Sequence, residues 1–248
     1  MTILAAVGLL LVGAFVKGIL GLGLPMVAIP GLTLLVGLPQ ALAMCAIPVA
    51  VANAWQIWQF RGARSARGLL PRFVVAGGIG TAVGTWMLAS VPSALLEVAL
   101  AVMLVVYLVL RLANPGLRLG HLVARRLAPG VGLASGLLHG ATGISGPIAV
   151  TFFHALRLPR EDFILATGTM FLGFTVVQLP ALAAAGILGS QAVVVGLLGL
   201  PAVAAGLMLG NIAARKVDTR LFDRLVLIVL AWTAATLIWR AVTEAGLV

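Results

Sequence analysis

Acidic residues and cysteine are nearly missing from this chain: of 248 residues, six are Asp or Glu and one, Cys45, is a cysteine. A lone thiol forms neither an internal disulfide nor a Cys-x-x-Cys pair, which excludes thiol-shuttling electron transfer, and Cys45 reads as a small buried hydrophobe. The three histidines are scattered without a carboxylate cluster, so neither a metal site nor a cofactor is expected. Charge of any sign is scarce, 9% against about 25% in a soluble domain, whereas 62% of the residues are hydrophobic and the mean hydropathy is +1.20. Too little polar surface remains for a soluble fold. The start Met1-Thr2-Ile3 lacks the basic segment of a secretory signal, so the first apolar stretch is expected to belong to the mature protein.

What is abundant is apolar sequence in bands. A spanning helix takes roughly 20 mostly apolar residues, and such bands run at 3–37, 41–60, 73–89, 92–112, 129–157, 162–182, 190–213 and 221–241. The expected class is an all-α integral membrane protein. The net charge of +10 does not point to nucleic acid, because the basic residues fill loops between bands: Arg61, Arg64, Arg67 and Arg72; Arg111, Arg118, Arg125 and Arg126; Arg215, Lys216, Arg220 and Arg224. By the positive-inside rule these loops are cytoplasmic, facing anionic lipid, and the uncharged loops near 37–40, 89–93 and 183–190 are external. Trp55, Trp58, Trp86, Trp232 and Trp239 lie toward band ends, as interfacial anchors do.

One motif occurs twice. Gly21-Leu22-Gly23-Leu24-Pro25, preceded by Lys17-Gly18, returns 122 residues later as Gly143-Ile144-Ser145-Gly146-Pro147, preceded by His139-Gly140. Further landmarks follow in the same order: Leu38-Pro39-Gln40 with Leu158-Pro159-Arg160, Gly80 and Gly84 with Gly206 and Gly210, and Glu97 with Asp223. The chain therefore divides into a first repeat at 1–112, a basic cytoplasmic linker at 113–128 and a second repeat at 129–248.

Loop placement fixes the direction of each band. Bands 73–89 and 190–213, equivalent in the two repeats, run in opposite directions, so the repeats are inverted in topology. Between the cytoplasmic loop at 111–126 and the external loop at 183–190 the crossing number must be odd, yet two bands intervene. Band 129–157 resolves this either as two short spans or as a re-entrant pair of half-helices. Re-entry is preferred, since each arm of about 14 residues rises only about 21 Å against a hydrocarbon core of about 30 Å. Each repeat is then a Gly/Pro-broken first band followed by three transmembrane helices. Inverted repeats with matching broken helices are the architecture of many secondary transporters, with the binding site at the breaks.

The Gly-rich break with Pro in the first band, the Gly-Ile-Ser-Gly-Pro break at mid-chain, the arginines after the second band and the length near 250 resemble the TauE/SafE sulfite exporter family, also called the 4-toluene sulfonate uptake permease family. The resemblance covers nearly the whole chain. It implies an inner-membrane carrier of sulfite, organosulfonates or related sulfur-containing anions, coupled to an ion gradient. A proton or sodium ion is the coupling partner to consider; the oligomeric state is open, a homodimer included.

The residues give a separate reason to expect an anion. A half-helix starting inside the membrane points free N–H groups and its positive dipole end at the break. Pro25 and Pro147 suit the first turn of such helices, and Gly21, Gly23, Gly143 and Gly146 let the backbone approach a ligand. Ser145 either caps the second half-helix or bonds the ligand, and Gly18, Gly140 and Thr142 belong to the same cradle. Lys17 and His139 sit at equivalent positions four residues before each break. A Lys in an apolar band costs about 2.5–3.5 kcal/mol on insertion scales, so it is expected to face a cavity or partner. Lys17 is expected to hold the anion, and His139 either to do the same or to take up a proton; the plainer alternatives are a snorkelling Lys17 and a His139 bonded to a carbonyl. Asn53, Gln56, Thr175 and Gln178 either join helices or line the anion path, and Gly80, Gly84, Gly206 and Gly210 are expected to let helices pack closely.

Two other classes remain to be weighed. An anion-selective channel would use the same cradle. Gly143-Ile144-Ser145-Gly146 also matches the G-x-S-G of rhomboid-type intramembrane proteases, but His139 and His154 share its band instead of lying on a separate helix, and Gly23 replaces the serine in the first copy.

Overall fold

The computed structural model describes residues 2–63, 68–92 and 118–214, with Leu95, Arg224, Ile228, Ala231, Trp232, Ala235 and Trp239 beyond them. Bands 92–112 and 221–241, with Glu97 and Asp223, lie almost wholly outside the described residues, as do Arg64, Arg67, Arg111, Arg215, Lys216 and Arg220.

Every regular element among the described residues is an α-helix. The order is α1 (Thr2–Leu20), α2 (Leu24–Val36), α3 (Leu38–Gln59), α4 (Leu70–Ser90), α5 (His121–Thr142), α6 (Gly146–Ala155), α7 (Arg160–Ala184), α8 (Ser190–Leu198) and α9 (Leu200–Ala214). Five stretches are long and apolar enough to cross a membrane: Ile3–Leu20, Leu38–Gln59, Leu70–Ser90, Arg160–Ala184 and Ser190–Ala214, the last made of α8 and α9. Together with 62% hydrophobic residues and a mean hydropathy of +1.20, these helices are those of a multi-span membrane protein.

Both first bands break at the duplicated glycine motif, between α1 and α2 and between α5 and α6. The arms are unequal where equal arms of about 14 residues were expected. Helix α6 has 10 residues and α5 has 22, starting at His121 inside the stretch read as a linker. The cause is an amphipathic extension that mean hydropathy hides: Arg125 and Arg126 are exposed while Ala124 and Ala128, one turn apart, are buried. Leu119 N–H donates to the Ala155 carbonyl at 2.9 Å, so the α5–α6 hairpin closes with both ends together. Ten residues rise about 15 Å and twenty-two about 33 Å, so α5 does not run straight beside α6. Pro129, inside α5, is where its hydrogen-bond ladder loses a donor.

Packing pairs the helices across the chain. Helix α4 lies along α5, α1 along α9, and α3 against α7. Glycines set the closeness of the first two pairs. A methyl group built on Gly80, Gly84, Gly136 or Gly140 would strike a backbone carbonyl of the facing helix, namely that of Leu133, Leu137, Gly77 or Thr81. On α1 and α9, a methyl at Gly18 would lie 2.8 Å from Gly210 Cα, and one at Gly206 2.5 Å from the Leu11 carbonyl oxygen. The close-packing role expected for Gly80, Gly84, Gly206 and Gly210 thus has a geometric basis.

Polarity is inverted relative to a soluble protein. Lys17, Asn53, Gln56, Thr81, Thr85, His139, Thr175 and Gln178 are buried, whereas Leu4, Val75, Trp86, Val176 and Met208 are among the exposed large side chains.

Candidate functional site

The two breaks are built by different backbones. Gly21 and Gly143, at matching positions, end α1 and α5 with φ of 78° and 73°. Two residues on, Gly23 has φ 122°, a conformation that an L side chain rarely adopts, whereas Ser145 has φ −106°. Glycine is thus required in the first break, while a serine fits the second. Pro25 and Pro147 occupy the first turns of α2 and α6, where the missing N–H costs no helical bond. Gly146 opens α6, and Thr142 fastens the second turn: its hydroxyl donates to the Leu138 carbonyl at 2.7 Å and accepts from Ile144 N–H at 3.3 Å.

Each break packs against a helix of the other half. A methyl on Gly21 would lie 2.5 Å from Ile164 of α7, and one on Gly143 would meet Ile29 of α2 and lie 3.2 Å from Leu42 of α3. Between them is a narrow cavity of about 10 Å³ whose polar wall is His139 and Gln178, with Pro25 from the first break and Gly143 from the second. Ile29, Leu42, Cys45 and Val49 supply the apolar wall. That volume holds one water at most.

Lys17 and His139 are both buried, at 1% and 2% exposure. Lys17 Nζ donates to Asn53 Oδ1 at 2.7 Å and reaches the Gly21 carbonyl at 3.5 Å, so it does not snorkel. No carboxylate pairs with it among the described residues. The Asn53 amide is itself oriented by donating to the Val49 carbonyl at 2.7 Å. His139 is held differently: neither ring nitrogen has a hydrogen-bond partner, and its ring lies against Phe171 and Phe174, at 5.8 and 5.5 Å between centroids. Phe171 also faces Lys17 Nζ, at 5.7 Å, and so stands between the two.

The backbone under these side chains is matched in both halves. The Lys17 carbonyl accepts from Gly21 N–H at 2.7 Å and from Gln56 Nε2 at 3.5 Å; the His139 carbonyl accepts from Gly143 N–H at 2.7 Å and from Gln178 Nε2 at 3.1 Å. Of the residues singled out in the sequence, Pro25, His139, Gly143 and Gln178 meet at the cavity, and Lys17, Asn53 and Gln56 form a bonded cluster behind Phe171. Gly18 and Gly140 instead face α9 and α4 and serve helix packing. Ser145 Oγ is fully buried and without a partner, and it is not bonded to His139, so the pair does not form a serine–histidine dyad.

Sequence reasoning missed Phe171, whose only signal is its place one turn before Thr175, and Cys45 as a cavity wall. It also missed the function of Arg160, which donates from Nη2 to the Ile19 carbonyl at 3.1 Å and so satisfies a carbonyl at the end of α1. Its equivalence to Gln40 hid this role.

A family model described as Sulfite exporter TauE/SafE matches residues 4–237. No curated protein and no solved structure matches the chain.

Proposed function

The chain belongs to the sulfite exporter TauE/SafE family, a family of membrane transporters, and on that premise we propose that it is a secondary transporter of sulfite, an organosulfonate or a related sulfur-containing anion in the inner membrane. The anion sits near the midplane between the two breaks, facing the N-terminal ends of α2 and α6, whose dipoles favour negative charge. Lys17 supplies the positive charge, its Nζ resting on Asn53 Oδ1. The observation that carries the reading is a cavity lined by both Pro25 of one break and Gly143 of the other.

The two repeats are inverted copies in this reading. Its support is that every principal packing pair has a counterpart: α1 with α9 answers α5 with α4, and α3 with α7 answers itself. In this reading alternating access moves α4 with α5 and α1 with α9 as two rigid pairs, each carrying one break past the α3–α7 centre; the close glycine contacts within each pair support it. The small cavity is then a closed conformation, and a sulfur oxyanion enters once the pairs separate.

Purified protein screened for thermal stabilisation by sulfite, sulfate, thiosulfate, sulfoacetate and taurine identifies the substrate, and counterflow from pre-loaded vesicles establishes carrier exchange. Stabilisation by none of these anions, or conduction without exchange, contradicts the reading.

A further inference from the structure

We propose that His139 is the proton-carrying group that couples this transporter to a proton gradient, taking up one proton as the anion binds and releasing it as the anion leaves. The inference rests on the transport reading above and adds to it the identity of the coupling ion and of the residue that carries it.

The argument is a comparison of two equivalent positions. Lys17 and His139 share the same backbone bonds, from Gly21 and Gln56 in one half and from Gly143 and Gln178 in the other. Their side chains are treated oppositely. Lys17 is supported by the Asn53 carbonyl oxygen at 2.7 Å, which favours the ammonium form. At the position matching Asn53 stands Thr175, whose hydroxyl is committed to the Phe171 carbonyl at 2.7 Å. Both imidazole nitrogens are without a hydrogen-bond partner at 2% exposure while the cavity is closed, the Gln178 side chain being the polar group beside them on the cavity wall. One half gives its cationic side chain an acceptor, and the other leaves its imidazole without one.

The surroundings leave the anion as the group that can do the switching. Helix α4 presents Thr81 and Thr85, α7 presents Phe171, Phe174 and Gln178, and α2 has no titratable residue in its sequence. Cys45 of α3 shares the cavity wall, and Lys17 of α1 lies beyond Phe171. His154 of α6 packs at a tilt against Phe163, at 5.0 Å between centroids, and is not among the cavity-lining residues. The acidic residues of α7, Glu161 and Asp162, are in its first turn, more than two helical turns before Phe171. A sulfur oxyanion at the break next to Gly143 brings the negative charge that makes imidazolium favourable, and its departure removes it. Proton uptake and anion binding are then linked in both directions.

The test is sulfite exchange in proteoliposomes carrying a trapped pH dye, read as protons moved per sulfite moved, so that a slower variant is still readable. Wild type is expected to move one more proton per sulfite than His139→Gln or His139→Asn, neither of which can take up a proton at that position. With the membrane potential clamped, wild-type accumulation should exceed that of either variant by about tenfold per pH unit of gradient, the factor one co-moved proton supplies. Equal proton-to-sulfite ratios in wild type and a variant overturn the inference, as does a wild-type ratio no larger than the proton sulfite itself carries. Absence of sulfite counterflow in wild type is a different failure, since it removes the transport reading first.

Discussion

Gln178 donates from Nε2 to the backbone carbonyl of His139 at 3.1 Å, and 122 positions earlier Gln56 makes the same bond to Lys17 at 3.5 Å. Both amides cross from a long helix to the last turn before a break, where the carbonyl already accepts a glycine N–H. Because that carbonyl stays bonded when the amide is lost, Gln56→Leu and Gln178→Leu should each cost only about 0.5–1.5 kcal/mol of stability. The shorter bond predicts the larger effect for Gln178→Leu, read from thermal unfolding in one detergent. A loss above 3 kcal/mol in either would mean that the amide has another structural role.

Lys17→Met should weaken anion binding at least tenfold, about 1.4 kcal/mol, whereas Gln59→Leu should leave it within twofold. Gln59 is exposed and accepts from Asn211 of α9 at 3.3 Å, while Lys17 is buried at the break. Isothermal titration with the best anion of the stabilisation screen compares them. Equal affinities would remove Lys17 from the site.

Gly136→Ala should destabilise the protein by about 1–3 kcal/mol, because the added methyl group falls on the Gly77 carbonyl between α4 and α5. Gly130→Ala, with nothing within 4 Å of the new methyl, should be neutral or stabilising by up to about 1 kcal/mol. Thermal unfolding of the two variants side by side decides it, and equal midpoints would contradict the close approach.

Gly23→Ala should cost about 1–3 kcal/mol, since φ of 122° is strained for any side chain. Ser145→Ala should keep the fold, because its hydroxyl makes no hydrogen bond and its φ of −106° suits alanine. Counterflow that survives in Ser145→Ala is expected of a backbone cradle; abolition with the fold intact would point to hydroxyl chemistry at that position.

The breaks were legible because Gly and Pro are punctuation that apolar sequence cannot conceal, and both fell at the glycines expected. The start of α5 was not, because Arg125 and Arg126 lower the hydropathy of a helical turn whose other face, Ala124 and Ala128, is buried. The partners of Gly80 and Gly84 were hidden for another reason. Gly132, Gly136 and Gly140 lie on a helix read for its break, and pairing between α4 and α5 is a long-range fact that no local pattern carries. The equivalence of Gln56 and Gln178 is written in the numbering, but the residues flanking them differ, so only the shared carbonyl bond makes it visible. Likewise Asn53 and Gln178 were singled out as polar residues in apolar bands; which of them would reach Lys17, and which the cavity, depends on the contact of α3 with α7.

The central claim is that one anion occupies the space between the two breaks, and anomalous scattering from selenite bound to the crystalline protein tests it most directly. The account predicts a selenium peak between the Gly23–Pro25 and the Gly143–Gly146 backbones, placed so that the selenite oxygens accept from N–H groups of both breaks. Selenium found only at the exposed arginines, or the two breaks lying too far apart to share one ion, would contradict it.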